Sequence, residues 1–302
     1  VRATAAEQAR QDASAVFAPR DWALLFGVAI PWGGSFLFMD FGLEHFAPPL
    51  IAFGRIAFGA ATLALLPAAR KPVPRSEWPQ IALVGVTWMA IPFLLLAVAQ
   101  QWIDTGLAGM INATTPLFTA LVGALLVRAL PSRVQGIGLV LGFLGVVAIS
   151  LPSVEGSSNL LGVALVLTAA MFYGLAFNLA APLQRSHGSL PVTLRAMLVA
   201  AVALLPAAVI GALHSSFGWS SLLAVVVLGA AGTGVAFIYF TELIGRVGPS
   251  RAAVAIYIVP VIAVALGALF NDERVHLAAV AGTAMVLGGA YLTSRPARAE
   301  PT

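Results

Sequence analysis

The sequence predicts an all-α membrane protein in which ten transmembrane helices form two inverted five-helix repeats around a central cavity. Three observations carry that expectation. Hydrophobic residues make up 60% of the 302 positions and charged residues only 9%, whereas roughly a quarter of a soluble domain is charged. Ten apolar stretches are each close to the length of about 20 residues that a helix needs to cross a bilayer. Residues 85–152 align without a gap on residues 229–296, so that Gly85, Phe93, Ala108, Pro116, Gly123, Gly138, Gly145, Ser150 and Pro152 fall on Gly229, Phe237, Ala252, Pro260, Gly267, Gly282, Gly289, Ser294 and Pro296. An odd number of crossings per half makes the second half enter the membrane from the opposite side, as in carriers that hold a small solute between inverted halves.

In chain order, residues 1–20 are polar, with Glu7, Arg10, Asp12 and Arg20, and lack the apolar core and cleavage site of a signal peptide. They read as a short disordered cytoplasmic tail. Spans near 22–39, 49–66, 78–99, 106–127 and 134–151 make a first repeat over 21–152. Spans near 160–181, 190–212, 219–241, 250–270 and 277–293 make a second over 153–296, leaving 297–302 as a second cytoplasmic tail.

The loops justify the count. Arg2, Arg10 and Arg20, then Arg70, Lys71 and Arg75, Arg128 and Arg133, Arg185, Arg246 and Arg251, and Arg295 and Arg298 all fall on one side of a ten-span chain. The other side carries Arg274 alone among basic residues, with Asp40, Glu44, Asp104, Glu155, Asp272 and Glu273. A missed helix would scramble every later loop. The positive-inside rule then puts both termini in the cytoplasm, and the bias explains a pI near 10.1 without a nucleic-acid partner.

Cysteine is absent, which removes disulfides, thiolate metal sites and thiol nucleophiles. His45, His187, His214 and His276 are scattered over four loops with no metal-ligand spacing, and neither HExxH nor GxSxG occurs. No cofactor and no enzymatic dyad is implied. The glycines of 136–142 mimic a dinucleotide loop but lie inside an apolar span, where they read as close-packing positions.

Four segments resemble the ten-helix permeases of the drug/metabolite transporter superfamily, the EamA type: PWGGSF at 31–36, TGLAGMINATTPLFTALVGALLV at 105–127, GPSRAAVAIYIVPVIAVALGALFNDERV at 248–275 and AGTAMVLGGAYL at 281–292. The resemblance covers both halves. It implies a central cavity formed mainly by helices one, three, four, six, eight and nine, with five and ten peripheral, and substrates among small metabolites, amino acids and drugs. The family's acidic residue after helix nine is present as Glu273, while Ala129 stands at the matching place in the first half; no coupling role is assigned to Glu273.

Pro116 and Pro260 stand mid-span at matching positions, where proline removes a backbone donor and frees a carbonyl. They are the expected hinges; Pro31 and Pro92 bend their helices similarly. Asn112, Thr115 and Thr119 share one face of helix four and serve either interhelical hydrogen bonding or substrate contact. Trp32, Trp88, Tyr173, Phe177, Phe237, Tyr239 and Tyr257 form an inner aromatic set, either packing or lining the solute site. Trp32 and Tyr173 occupy corresponding places beside Gly33 and Gly174. Trp22, Trp78, Trp102 and Trp219 sit at span ends as interfacial anchors.

Of the two basic residues inside spans, Arg195 is expected to snorkel to headgroups, and Arg55 either pairs with a solute carboxylate or bridges to Asp40 or Glu44. No acidic residue lies mid-span. Glu242 is expected to contribute at most a gate or a salt bridge, with Arg246 one turn on as the candidate partner.

The reading that follows is a secondary transporter exporting small amphipathic metabolites, amino acids with hydrophobic or aromatic side chains foremost, by alternating access. A permease for another substrate class and a non-transporting scaffold or sensor stand as alternatives. The partners expected are a small-molecule substrate and the lipid bilayer; self-assembly is left open. Arginine outnumbers lysine fifteen to one, a GC-rich bacterial bias that points to the inner membrane.

Overall fold

A computed structural model describes residues 18–126, 128, 133–150, 157–247, 252 and 254–293. All regular structure among them is helical. We number the rods α1 (Pro19–Leu43), α2 (Pro48–Ala64), α3 (Arg75–Ala99), α4 (Thr105–Leu126), α5 (Arg133–Ser150), α6 (Ser157–His187), α7 (Ser189–Leu213), α8 (Trp219–Val247), α9 (Val254–Phe270) and α10 (Leu277–Thr293). Six of them, α1, α3, α4, α6, α7 and α8, are long and apolar enough to cross a membrane; the other four are apolar but shorter. Both tails, Ala129, Glu155 and Arg251 lie outside the described residues.

Proline sets several of these elements. Pro19 and Pro48 open α1 and α2 in the first turn, where a missing N–H costs nothing. In α4 the ring of Pro116 cannot continue the helix from below, and the rod breaks into Thr105–Asn112 and Thr115–Leu126. The Thr115 hydroxyl donates to the Asn112 carbonyl at 2.8 Å, the carbonyl that the proline cannot reach. Pro260, its counterpart, lies inside the uninterrupted α9. The two expected hinges therefore differ: one is a broken helix, the other a proline within a continuous rod.

Two rods contain a wide turn. In α3, Val86–Ala90 is π-helical, and in α8, Ala230–Val235 is. The two wide turns begin at matching positions of the internal repeat. Each is buried over most of its length and separates two α-helical pieces of one span.

Packing partners are exchanged in the same manner. Helix α1 packs on α9 and α6 on α4; α3 packs on α6 and α8 on α1; α2 meets α7, and α5 meets α10. Swapping the first five helices for the second five maps this set onto itself. At the α5–α10 seam a Cβ on Gly145 would sit 2.6 Å from the Gly282 carbonyl oxygen, and one on Gly289 would sit 2.5 Å from that of Gly138. As the α5 position falls from 145 to 138 its α10 partner rises from 282 to 289, so the two helices run antiparallel. The glycines let backbones touch, which in lipid is where helix association gains its dispersion energy.

The loops gather at two ends. At one, which we call the far end, the α1–α2 and α7–α8 connections are joined: Ser216 N–H donates to the His45 carbonyl at 2.9 Å and Ala47 N–H to Ser215 Oγ at 2.9 Å. The other end holds the N-terminus of α1, the starts of α3 and α7 and the C-termini of α6 and α8.

Candidate functional site

The centre of the bundle is a continuous run of aromatic rings. Phe240 and Trp32 lie 5.0 Å apart between centroids, Trp32 and Phe237 5.9 Å, Phe237 and Trp88 5.2 Å, Trp88 and Phe177 5.7 Å, Phe177 and Tyr173 6.0 Å, and Tyr173 and Phe93 6.4 Å. Most contacts are edge to face; Phe177 and Tyr173 stack at 12°. The rings come from α1, α3, α6 and α8. Five residues along a regular helix rotate the face by about 500°, which would leave Trp88 and Phe93 well apart. The π turn between Gly85 and Ile91 absorbs that rotation and turns both toward α6.

Sequence reasoning thus placed Trp32, Trp88, Tyr173, Phe177 and Phe237 in one cluster, which also contains Phe93 and Phe240. Tyr257 packs against the edge of the same core without a ring partner among the described residues. Tyr239 does not belong to the cluster. It is 38% exposed, and its ring lies over Gly27 of α1. Residues two apart on a helix point to different sides, so Phe237 and Tyr239 cannot both face inward.

Arg55 stands at the end of the aromatic run, only 8% exposed. Its Nε donates to Thr233 Oγ1 at 3.0 Å and its Nη2 to Ser35 Oγ at 3.4 Å, and the guanidinium carbon sits 4.0 Å above the Phe93 ring. Thr233 belongs to the second π turn and also donates to the Leu228 carbonyl five residues back, at 3.2 Å. Among the described residues no carboxylate pairs with Arg55; the bridge to Asp40 or Glu44 is not formed. Asp40 instead accepts from Asn271 Nδ2 at 2.8 Å.

The polar face of α4 turns largely inward on its own backbone. Thr115 bonds the Asn112 carbonyl and Thr119 the Thr115 carbonyl, each at 2.8 Å, while Asn178 Nδ2 crosses from α6 to the Thr119 carbonyl at 3.0 Å. Three buried oxygens, Gln100 Oε1, Asn112 Oδ1 and Thr114 Oγ1, have no hydrogen-bond partner. Burying such groups without a partner is costly, and none of the three was singled out by sequence except Asn112.

Both ends are clasped. At the far end the Glu273 carboxylate accepts the Thr105 and Gly106 N–H groups, at 2.7 and 2.8 Å, at the first turn of α4. Anions suit that position because free N–H groups and the helix dipole converge there. Asp272 takes a left-handed conformation (φ 51°) that turns the chain back after α9, and a side chain at Gly267 would run into the carboxylate. Burial pushes the Glu273 carboxyl above its ordinary range, against the pull of the two N–H groups, and Asp104 pushes it further up. A cavity of about 430 Å³ opens beside it, lined by Asp104, Leu107, Met110 and Ile149 among others.

At the opposite end Arg20 bonds Glu242 and Arg246 bonds Asp21, both at 2.6 Å, tying the start of α1 to the end of α8. Glu242 therefore pairs across helices and not with Arg246. Arg195 reaches the Lys71 and Pro191 carbonyls at 2.7 and 3.0 Å. Trp22, Trp78 and Trp219 are exposed at helix ends, while Trp102 is half-buried beside the far-end cavity.

An all-helical, multi-pass apolar bundle with a buried aromatic and cationic centre defines a membrane transporter. The chain belongs to the EamA-like transporter family, whose model matches residues 22–151 and again 160–295. It is 30% identical over 258 residues to the uncharacterized inner membrane transporter YedA of Escherichia coli, covering 82% of each chain. It is 24% identical over 282 residues to a probable terminal-alkyne amino-acid exporter of Streptantibioticus cattleyicolor, covering 91% of this chain and 93% of that one. A solved crystal structure shares the fold with a TM-score of 0.63 at 19% identity, covering 91% of this chain and 96% of that chain.

Proposed function

We propose that the protein is a bacterial inner-membrane exporter of small amphipathic metabolites, chiefly amino acids with hydrophobic or aromatic side chains. In this reading two five-helix halves of opposite orientation rock about a shared central site. The observation that carries it is the aromatic run, to which α1 and α3 of one half and α6 and α8 of the other contribute rings that meet beside Arg55.

Several observations support the inverted halves: the family model matching twice, the π turns at matching positions and the antiparallel α5–α10 seam. The four shorter helices, at 17 or 18 residues, reach the lower limit of about 17 for a crossing. With ten crossings and the basic loops inside, both termini and the Arg20–Glu242 clasp are cytoplasmic, and the Glu273 clasp faces outward. The two clasps are then the gates that alternate. Relatives named for the inner membrane and for amino-acid export support the location and the substrate class.

The test is reconstitution into liposomes with a panel of labelled amino acids, sugar phosphates and cationic drugs, comparing wild type with Trp32→Ala and Tyr173→Ala. Uptake of aromatic amino acids that falls in both variants is the expected result. Equal flux in all three proteins would remove the aromatic run from the path, and no flux of any solute would favour a scaffold or sensor.

A further inference from the structure

We infer that Arg55 is the recognition point for a carboxylate, so that the central site selects organic carboxylates with an apolar or aromatic body and needs no ammonium group on them. The inference rests on the carrier reading and specifies its substrate. A guanidinium carries five N–H donors in a rigid fork. Here the Nε and Nη2 edge is spent on the hydroxyls of Thr233 and Ser35, both neutral partners. Nη1 has no hydrogen bond among the described residues, and together with the remaining hydrogen of Nη2 it forms the end-on edge that accepts a carboxylate in two parallel bonds.

The charge balance leads the same way. A buried cation ordinarily comes with an anion, yet Arg55 is 8% exposed and no described carboxylate pairs with it. What it has is the face of Phe93 at 4.0 Å and two hydroxyl dipoles, a setting that holds the side chain in place and leaves its charge unmatched. The residues that fix it come from both halves: Ser35 and Phe93 from α1 and α3, Thr233 from the π turn of α8. Phe93 continues into Tyr173, Phe177 and Trp88, so a ligand anchored at Arg55 lays its body along rings. No free carboxylate of the protein lines that run to hold an amine.

Counterflow of labelled tryptophan in proteoliposomes, with indole-3-propionate and tryptamine as competitors, tests this. In wild type the propionate, which keeps the carboxylate and lacks the amine, is expected to compete like tryptophan, and tryptamine at least tenfold more weakly. Arg55→Gln should raise the half-saturating tryptophan concentration at least tenfold and erase the difference between competitors; Arg55→Lys should fall between. A merely structural arginine would lower flux while leaving the competitor ranking unchanged, and that result overturns the inference. A binding measurement separates this failure from failure of the carrier reading. Indole-3-propionate, but neither indole-3-propionamide nor inorganic phosphate, should raise the unfolding midpoint of the detergent-solubilised wild type, whether or not tryptophan is carried. Equal effects of acid and amide, or of phosphate, refute the carboxylate site without any variant having to fold.

Discussion

Removing the Glu273 side chain separates what its hydrogen bonds contribute from what its charge costs. Glu273→Ala deletes two N–H···O contacts of 2.7 and 2.8 Å to the first turn of α4. Hydrogen bonds to a charged acceptor contribute about 1.5 kcal/mol each at the lower end of their range. The half-buried carboxylate recovers roughly 1–2 kcal/mol of hydration when it is removed or exposed, which leaves a net loss of about 1–2 kcal/mol and a roughly tenfold increase in the open population. Since the chain contains no cysteine, Met110→Cys in the far-end cavity provides a single thiol whose maleimide labelling reports opening. Labelling is expected to quicken about tenfold in Glu273→Ala.

The charge behaves oppositely. Burial raises the carboxyl's pKa in the closed state, so the closed state binds a proton more tightly than the open one does. Closure is therefore strengthened as pH falls through the window between the raised value and the ordinary 4.5, and weakened as pH rises through it. Wild-type labelling should slow on acidification and approach the rate of Glu273→Gln, which should itself be slower than wild type at neutral pH and independent of pH. Faster labelling of Glu273→Gln than of wild type at neutral pH, or a wild-type rate that ignores pH, would refute the reasoning.

Two further substitutions test other parts of the bundle. Gly145→Leu and its counterpart Gly289→Leu each push a side chain into the opposite backbone and should each lower stability by about 2 kcal/mol, the middle of the range for overpacking; unchanged unfolding midpoints in detergent would contradict the close seam. Glu242→Gln breaks only the exposed pair with Arg20, a contact that contributes at most about 1 kcal/mol. It should leave pH-driven uptake into vesicles intact, and abolition of that uptake with exchange preserved would show Glu242 to be the coupling group.

Helix positions were legible because apolar length is written locally. The stretches near 22–39, 106–127 and 219–241 correspond to Pro19–Leu43, Thr105–Leu126 and Trp219–Val247. The α6 helix runs on to His187, six residues beyond its apolar stretch, since backbone hydrogen bonding does not stop where hydrophobicity does. The aromatic cluster was legible in its members and not in its geometry. Thr87 and Thr233 carry no local mark of a π turn, and a wide turn shifts the phase of everything after it, so counting by 3.6 fails beyond it. Ser35, a small residue among glycines, gave no sign that its hydroxyl holds an arginine from the next helix. Glu273 was visible as an acidic residue but its partners lie 167 and 168 positions away, at Gly106 and Thr105, a distance over which single-sequence patterns are silent.

The wide turn at Val86–Ala90 makes α3 intolerant of a change in length. Excising one residue there would let the rod tighten to ordinary pitch, and its distal piece would screw round by about 100° while advancing only about 1.5 Å. Hydrophobicity would hardly change and the segment would still insert, but Phe93 would swing off the guanidinium and Gln100 would lose the Phe36 carbonyl it now reaches at 2.9 Å. Single-residue indels in this stretch should therefore silence the protein while leaving its abundance in the membrane intact.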